Sequence, residues 1–215
     1  MSTRVLIVDD HALVRDGLRV HLEMRGDLVV VGEAANGRDA IAMAEALRPD
    51  VIIMDVAMPE LNGIEATRLI CERLPDVKVL MLSMHNSHEH CFRALRSGAR
   101  GYILKESAGE EVLLAVRTLM RGRRFLGAGL TPPHDLPAGG IDRNSKSPIE
   151  NLSYREREVF QLVVEGKSSS EIAVILSLSS KSVDTYRSRL MRKLGVESIP
   201  SLVKLALLHN ITPFS

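Results

Sequence analysis

The chain has 215 residues, 45% of them hydrophobic, enough for one large core or two small ones. No apolar run approaches the roughly 18 residues a membrane span requires, so no span, signal peptide or anchor is expected, and the reading places the protein in the cytoplasm. The formal net charge of +1 conceals an asymmetry: Lys and Arg number 14 against 18 Asp and Glu in residues 1–120, but 9 against 6 in residues 151–215.

An acidic front half points to a metal or phosphate site, and a mildly basic tail to an anionic partner; that charge does not by itself establish nucleic-acid binding. Along the chain, apolar β-branched runs at residues 5–8, 29–31, 51–54, 77–82 and 101–104 alternate with helical patterns at 13–25, 37–47, 64–74, 88–97 and 108–120. Alternation at this spacing predicts an α/β unit, a doubly wound parallel sheet of five strands. Cys71 and Cys91 fall inside helical patterns and read as reduced core residues rather than a disulfide. The stretch 123–150 breaks the pattern with Pro132-Pro133, Pro137, Gly139-Gly140 and Pro148, and is read as a linker between a domain at 1–122 and a second at 151–215.

The second domain is predicted to be all-α. Ser153 with Glu156, and Ser168 with Glu171, have capping-box spacing; Ser179 can cap a third helix that Gly195 stops, and an apolar fourth runs from about 199 to 209. In the third helix Val183, Leu190 and Leu194 form the inward stripe, leaving Lys181, Asp184, Thr185, Arg187, Ser188 and Arg192 wholly or partly outward. Two short helices and a longer polar, basic one have the layout of a helix-turn-helix, whose second element enters the major groove.

The strand ends carry the chemistry. Residues 5–8 run into Asp9-Asp10, residues 51–54 into Asp55, residues 77–82 into Ser83, and residues 101–104 into Lys105. C-terminal ends of parallel strands converge on one edge, where open α/β folds bind ligands. Three crowded carboxylates repel one another unless a cation joins them, and hard oxygen donors with room for water suit Mg²⁺. Asp55, alone at its strand end before the turn-rich Met58-Pro59 and Asn62-Gly63, is the candidate acceptor of a phosphoryl group. Asp9 and Asp10 would hold the metal, Lys105 would place a positive charge on the phosphoryl oxygens, and Ser83 would donate a hydrogen bond to them.

Asp9-Asp10, Asp55 with Met58-Pro59 and Asn62-Gly63, Ser83, and Tyr102 three positions before Lys105 resemble the receiver domain of two-component response regulators, over residues from about 4 to 121. The resemblance implies a flavodoxin-like fold, phosphoryl transfer from a sensor histidine kinase, and a metal site completed by the Ala57 carbonyl. Ala57 stands at a position variable in such domains. It also implies a switch in which Ser83, drawn toward the phosphoryl group, opens space for Tyr102 to enter.

The tail resembles the LuxR-type helix-turn-helix of NarL/FixJ-type regulators, through Leu152-Ser153, Arg155 to Val159, Gly166-Lys167, Glu171-Ile172-Ala173, Leu176, Ser179, Ser182-Val183 and Lys193 to Val196. That resemblance, with the helical periodicity, implies that Asp184, Thr185 and Ser188 face the groove of double-stranded DNA. Lys181, Arg187, Arg189 and Arg192 would reach phosphates. Asp184 stands where many relatives carry a basic or neutral residue; a carboxylate there meets phosphate repulsion unless it accepts from a cytosine amino group. Most helix-turn-helix modules act as two-fold dimers, so a homodimer is expected, with the surplus apolar residues of the last helix a candidate surface. A phosphoaspartyl enzyme, such as a phosphatase whose tail serves protein contacts, is the competing reading. No second acid/base near Asp55 and no substrate-holding insertion is evident, which disfavours a classical enzyme. His85, His88 and His90 with Glu89 suggest zinc, but no fixed ligand spacing supports it.

Overall fold

The computed structural model describes residues 2–24, 26–84, 86, 88–130 and 148–208. The chain divides into two compact units, Met1–Gly140 and Ile141–Ser215. In the first, strands β1 (Thr3–Val8), β2 (Leu28–Ala34), β3 (Val51–Asp55), β4 (Lys78–Ser83), β5 (Gly101–Leu104) and β6 (Phe125–Leu126) alternate with helices α1 (Ala12–Glu23), α2 (Gly37–Leu47), α3 (Gly63–Arg73), α4 (His88–Arg96) and α5 (Ala108–Met120). The sheet is parallel throughout, in the order β2-β1-β3-β4-β5-β6.

Every residue of β3 is buried, as expected of a central strand covered on both faces. Alternate residues go to opposite layers. Val5, Ile7, Val51, Ile53, Leu80, Leu82 and Ile103 pack with Leu18 and Leu22 of α1 and with Val112, Ala115, Val116 and Leu119 of α5. On the other face, Thr67 of α3 lies 3.3 Å from the sulfur of Met81. A side chain at Gly32 would meet Met43 of α2 at 2.6 Å. Each fully buried aliphatic side chain contributes about 1.5–3 kcal/mol. A one-residue slip would turn a whole strand's set to the wrong layer, so the register is fixed firmly.

The sheet has six strands, not the five expected from sequence. Phe125 donates its N–H to the Arg100 carbonyl at 3.1 Å, and Gly127 donates to Tyr102 at 2.9 Å. The Phe125 side chain packs against the layer formed with α1 and α5. Two residues flanked by arginines and glycines carry no period-2 signal, which is why this edge strand reads as linker in the sequence.

The second unit holds α6 (Tyr154–Val164), α7 (Ser169–Leu176), α8 (Ser180–Leu194) and α9 (Ile199–Leu208), after a 3₁₀ turn at Pro148–Asn151. Both capping boxes form: Ser153 accepts from the Glu156 N–H and Ser168 from the Glu171 N–H, with each glutamate returning the bond to its serine's backbone. Ser179 caps α8, and Gly195 ends it in the left-handed region at φ +67°, where a side chain would be strained. Val159, Leu162, Ile172, Leu176, Val183, Leu190, Leu202 and Ala206 form its core. Among the described residues, no helix is long and apolar enough to cross a membrane.

Candidate functional site

The chain reverses its strand order between β1 and β3, the switch point at which doubly wound sheets open a crevice. Asp9 follows β1 there and Asp55 ends β3; they are 0% and 3% exposed. Lys105 opens a 3₁₀ turn directly after β5, and its Nζ lies 2.8 Å from Asp9 Oδ2 and 2.8 Å from Asp55 Oδ2. The sheet thus brings together an acid pair and a cation distant in sequence, as expected. Asp10, on the rim, is partly exposed.

The loop after β3 is built around its glycine and asparagine. Asn62 caps α3 by accepting from the Glu65 N–H at 3.0 Å. Gly63 donates to the Val56 carbonyl at 2.9 Å, and a Cβ at Gly63 would collide with the Asp55 carbonyl oxygen. Backbone packed this close to Asp55 admits no side chain. Ala57 stands half-buried in the same loop and Met58 is fully buried.

Burial pushes the Asp55 carboxyl up from 3.8 to about 6; Lys105 opposes the rise, and Asp9 and Asp10 add to it. Burial alone would lower the Lys105 ammonium, but Asp55 and Asp9 outweigh it and raise it. Asp9, Asp10 and Asp55 carry three formal negative charges against the one positive charge of Lys105. One ligand atom from each of Asp9, Asp10, His11 and Asp55 lies within 4.8 Å of all the others. The three carboxylates are hard donors in excess of their one ammonium, which fits a divalent ion such as Mg²⁺.

Ser83, at the end of β4, is 2% exposed and Tyr102 is fully buried. The two hydroxyls share a hydrogen bond, and burial carries the Tyr102 phenol up to about 12. Tyr102 thus lies inside the fold beside Ser83. His85 lies outside the described residues. Among those described, the acidic cluster is the only group of His, Cys, Asp and Glu placed to hold a metal. Cys91 is buried and Cys71 half-buried, both as free thiols; burial raises both, Cys71 to about 11.

Two site neighbours escape the sequence reading. His11 brings Nδ1 to 2.8 Å from Asp10 and 3.3 Å from Asp9, and its backbone N–H donates to Asp9 Oδ1 at 2.9 Å. Arg15 donates to the Asp9 carbonyl at 2.7 Å and to Glu33 at 3.2 Å. Adjacency to the acid pair was the available signal for His11; nothing local marks Arg15.

In the second unit, α8 presents Lys181, Asp184, Thr185, Ser188, Arg189 and Arg192 to solvent, with Arg187 half-buried. Among the described residues none of its four candidate phosphate-contacting cations, Lys181, Arg187, Arg189 and Arg192, is in an ion pair. Thr185, exposed, donates its hydroxyl back to the Lys181 carbonyl at 2.8 Å. Lys193 is different. Its Nζ reaches the nearly buried Glu156 at 2.6 Å, and the same carboxylate oxygen accepts the Ser153 N–H at 2.6 Å. Burial alone would raise Glu156, but Lys193 and Ser153 outweigh it and hold the carboxyl below its usual range.

Residues 5–117 match the response regulator receiver domain, and residues 150–206 match the bacterial regulatory proteins of the luxR family. The chain is 38% identical over 216 residues to the oxygen regulatory protein NreC of Staphylococcus carnosus strain TM300, covering 98% of this chain and 100% of that one. The chain belongs to the response regulators. Its members of known structure include a LuxR-family regulator from Aurantimonas sp. SI85-9A1, 35% identical with a TM-score of 0.56 over 58% of this chain and 89% of that one. The response regulator RcsB in complex with DNA is 29% identical with a TM-score of 0.56, over 99% of this chain and 100% of that one. The receiver match precedes the luxR-family match along the chain.

Proposed function

We propose that this response regulator accepts a phosphoryl group on Asp55 from a sensor histidine kinase and regulates transcription through its luxR-type domain, bound to promoter DNA. The observation that carries the first half is the Lys105 ammonium, 2.8 Å from both Asp9 and Asp55 at the switch point of the sheet. In the transfer, an Asp55 carboxylate oxygen attacks phosphorus, the bond from phosphorus to the donor's imidazole nitrogen breaks, and that nitrogen keeps the electron pair. Lys105 then meets the phosphoryl oxygens, and Ser83 donates to one of them. Ser83 carries a single hydroxyl proton, so when it donates to the phosphoryl group Tyr102 would donate to it in turn.

Asp9, Asp10, Asp55 and the Ala57 carbonyl would hold Mg²⁺, which when bound neutralises the oxygens gathered around the acceptor. His11 orients Asp9 and Asp10, and Arg15 fixes the backbone of Asp9. The chain is not a classical enzyme in this reading: it catalyses only its own phosphorylation and dephosphorylation. We assign residues 1–122 to the receiver, 123–150 to the linker and 151–215 to the DNA-binding domain, and place the protein in the cytoplasm as an active homodimer.

The unpaired cations on the face of α8 support the second half. Lys181, Arg187, Arg189 and Arg192 would neutralise phosphates, with Thr185 and Ser188 beside base edges and Asp184 on the same face. Acetyl phosphate with Mg²⁺ is expected to add one phosphoryl mass to the wild type and none to Asp55→Asn. Label surviving in that variant would move the acceptor elsewhere.

A further inference from the structure

The acid on the DNA-facing helix is the unexplained feature of the second unit. Asp184 is exposed, and cations stand three residues to either side of it, at Lys181 and Arg187, within reach along one helix face. It pairs with neither. Its Oδ1 instead accepts from the Ser169 hydroxyl at 2.7 Å, across to the first turn of α7. Ser169 is half-buried and is not the cap of its helix; Ser168 performs that function. The Ser169 hydroxyl is therefore free to serve the neighbouring helix.

We propose that Ser169 and Asp184 form a latch between the two helices of the helix-turn-helix, with Ser169 the positioning residue that holds the carboxylate against α7 and so sets the DNA specificity of α8. The latch has two consequences. It ties the N-terminal ends of α7 and α8 by a charge-assisted bond, at the end of α8 that enters the groove. It also draws the acid away from Lys181 and Arg187, leaving both cations for phosphates. Asp184 then reads no base. The Ser169 bond holds the carboxylate toward α7, so a cytosine amino group in the groove would have to draw it off the latch.

The inference rests on α8 being the groove helix. The test uses the full chain, a duplex enriched from random sequence by the wild type, and a scrambled duplex, each titrated over a range of salt. Ser169→Ala is expected to lower the ratio of the two affinities by about threefold to tenfold, the range that loss of one such bond supports. The salt slope should also fall by up to about 1, as the released carboxylate swings onto Lys181 or Arg187 and removes one phosphate contact. A purely structural serine would leave that slope in place. Ser169→Thr keeps the hydroxyl and should restore both quantities. Asp184→Asn keeps an acceptor without charge, so it should tighten both duplexes while preserving their ratio. Joining Ser169→Ala to Asp184→Ala should cost the ratio no more than the larger single change. A wild type that selects DNA while Ser169→Ala matches it in ratio and slope overturns the latch alone. So does a loss of about tenfold at a single base pair in Asp184→Asn, the signature of a base reader. A wild type that holds no duplex overturns the reading of α8, and the latch with it.

Discussion

Replacing Asp55 with Asn should stabilise the receiver, although it removes the phosphoryl acceptor. Asp55 is 3% exposed, and burial raises its carboxyl from 3.8 to about 6 in spite of Lys105. A group whose folded value lies above its unfolded one favours folding in its protonated form. That contribution is complete below 3.8 and is lost as pH rises through about 6. At pH 7.5 the wild type therefore bears the full cost of a buried charge, about 3 kcal/mol for a shift of this size. Asn resembles the protonated acid and escapes that cost, while Lys105 retains Asp9 at 2.8 Å. Calorimetry of the full chain with a chelator present should place the receiver transition of Asp55→Asn higher by on the order of 10 °C at pH 7.5. At pH 3.5 the gap should vanish. Added Mg²⁺ should raise the wild type more than the variant and narrow the difference. A variant no more stable than the wild type at pH 7.5 without divalent ions would show that the buried Asp55 charge carries no such cost.

Arg189→Ala and Arg192→Ala should weaken binding to every duplex alike, each reducing the salt slope by roughly 1, as a titration at several salt concentrations would register. Lys193→Met should destabilise the second unit by about 1–3 kcal/mol in urea unfolding, because it strips the nearly buried Glu156 of its cation. Since Glu156 titrates below its usual range, that advantage of the wild type is present above 4.5 and fades as pH falls below it. On α9, Leu202 and Ala206 are buried in the core while Leu207 and Leu208 are 49% and 67% exposed, so the helix has apolar surface left over. Sedimentation of the chain on a palindromic duplex should give two protomers per duplex, and a strict one-to-one complex would exclude the dimer.

The receiver was legible in the sequence because its chemistry sits where buried strands stop. An apolar run that ends in Asp55 leaves one residue to protrude at the sheet edge, and four such endings define the site. The capping boxes at Ser153 and Ser168 were legible for a similar reason, since their partners lie three residues away. What stayed hidden depends on tertiary approach. Strand β6 has two residues and acquires its character only by pairing with β5. The inward position of Tyr102 follows from packing around Ser83, not from the spacing of Tyr102 to Lys105. The Lys193–Glu156 pair and the Ser169–Asp184 bond span 37 and 15 residues. Periodicity placed Asp184 on the outer face correctly but could not show where its carboxylate turned.

In the proposed function, phosphorylation of Asp55 changes how the luxR-type domain binds DNA. Anisotropy titration of the full chain against an enriched duplex at fixed salt, before and after acetyl phosphate with Mg²⁺, measures that change. The wild-type affinity should move by about fivefold or more, as a coupling of 1 kcal/mol or above requires, and Asp55→Asn should stay at its starting value. A wild type that carries one phosphoryl group by mass yet binds with unchanged affinity, or an Asp55→Asn chain that responds as the wild type does, would contradict it.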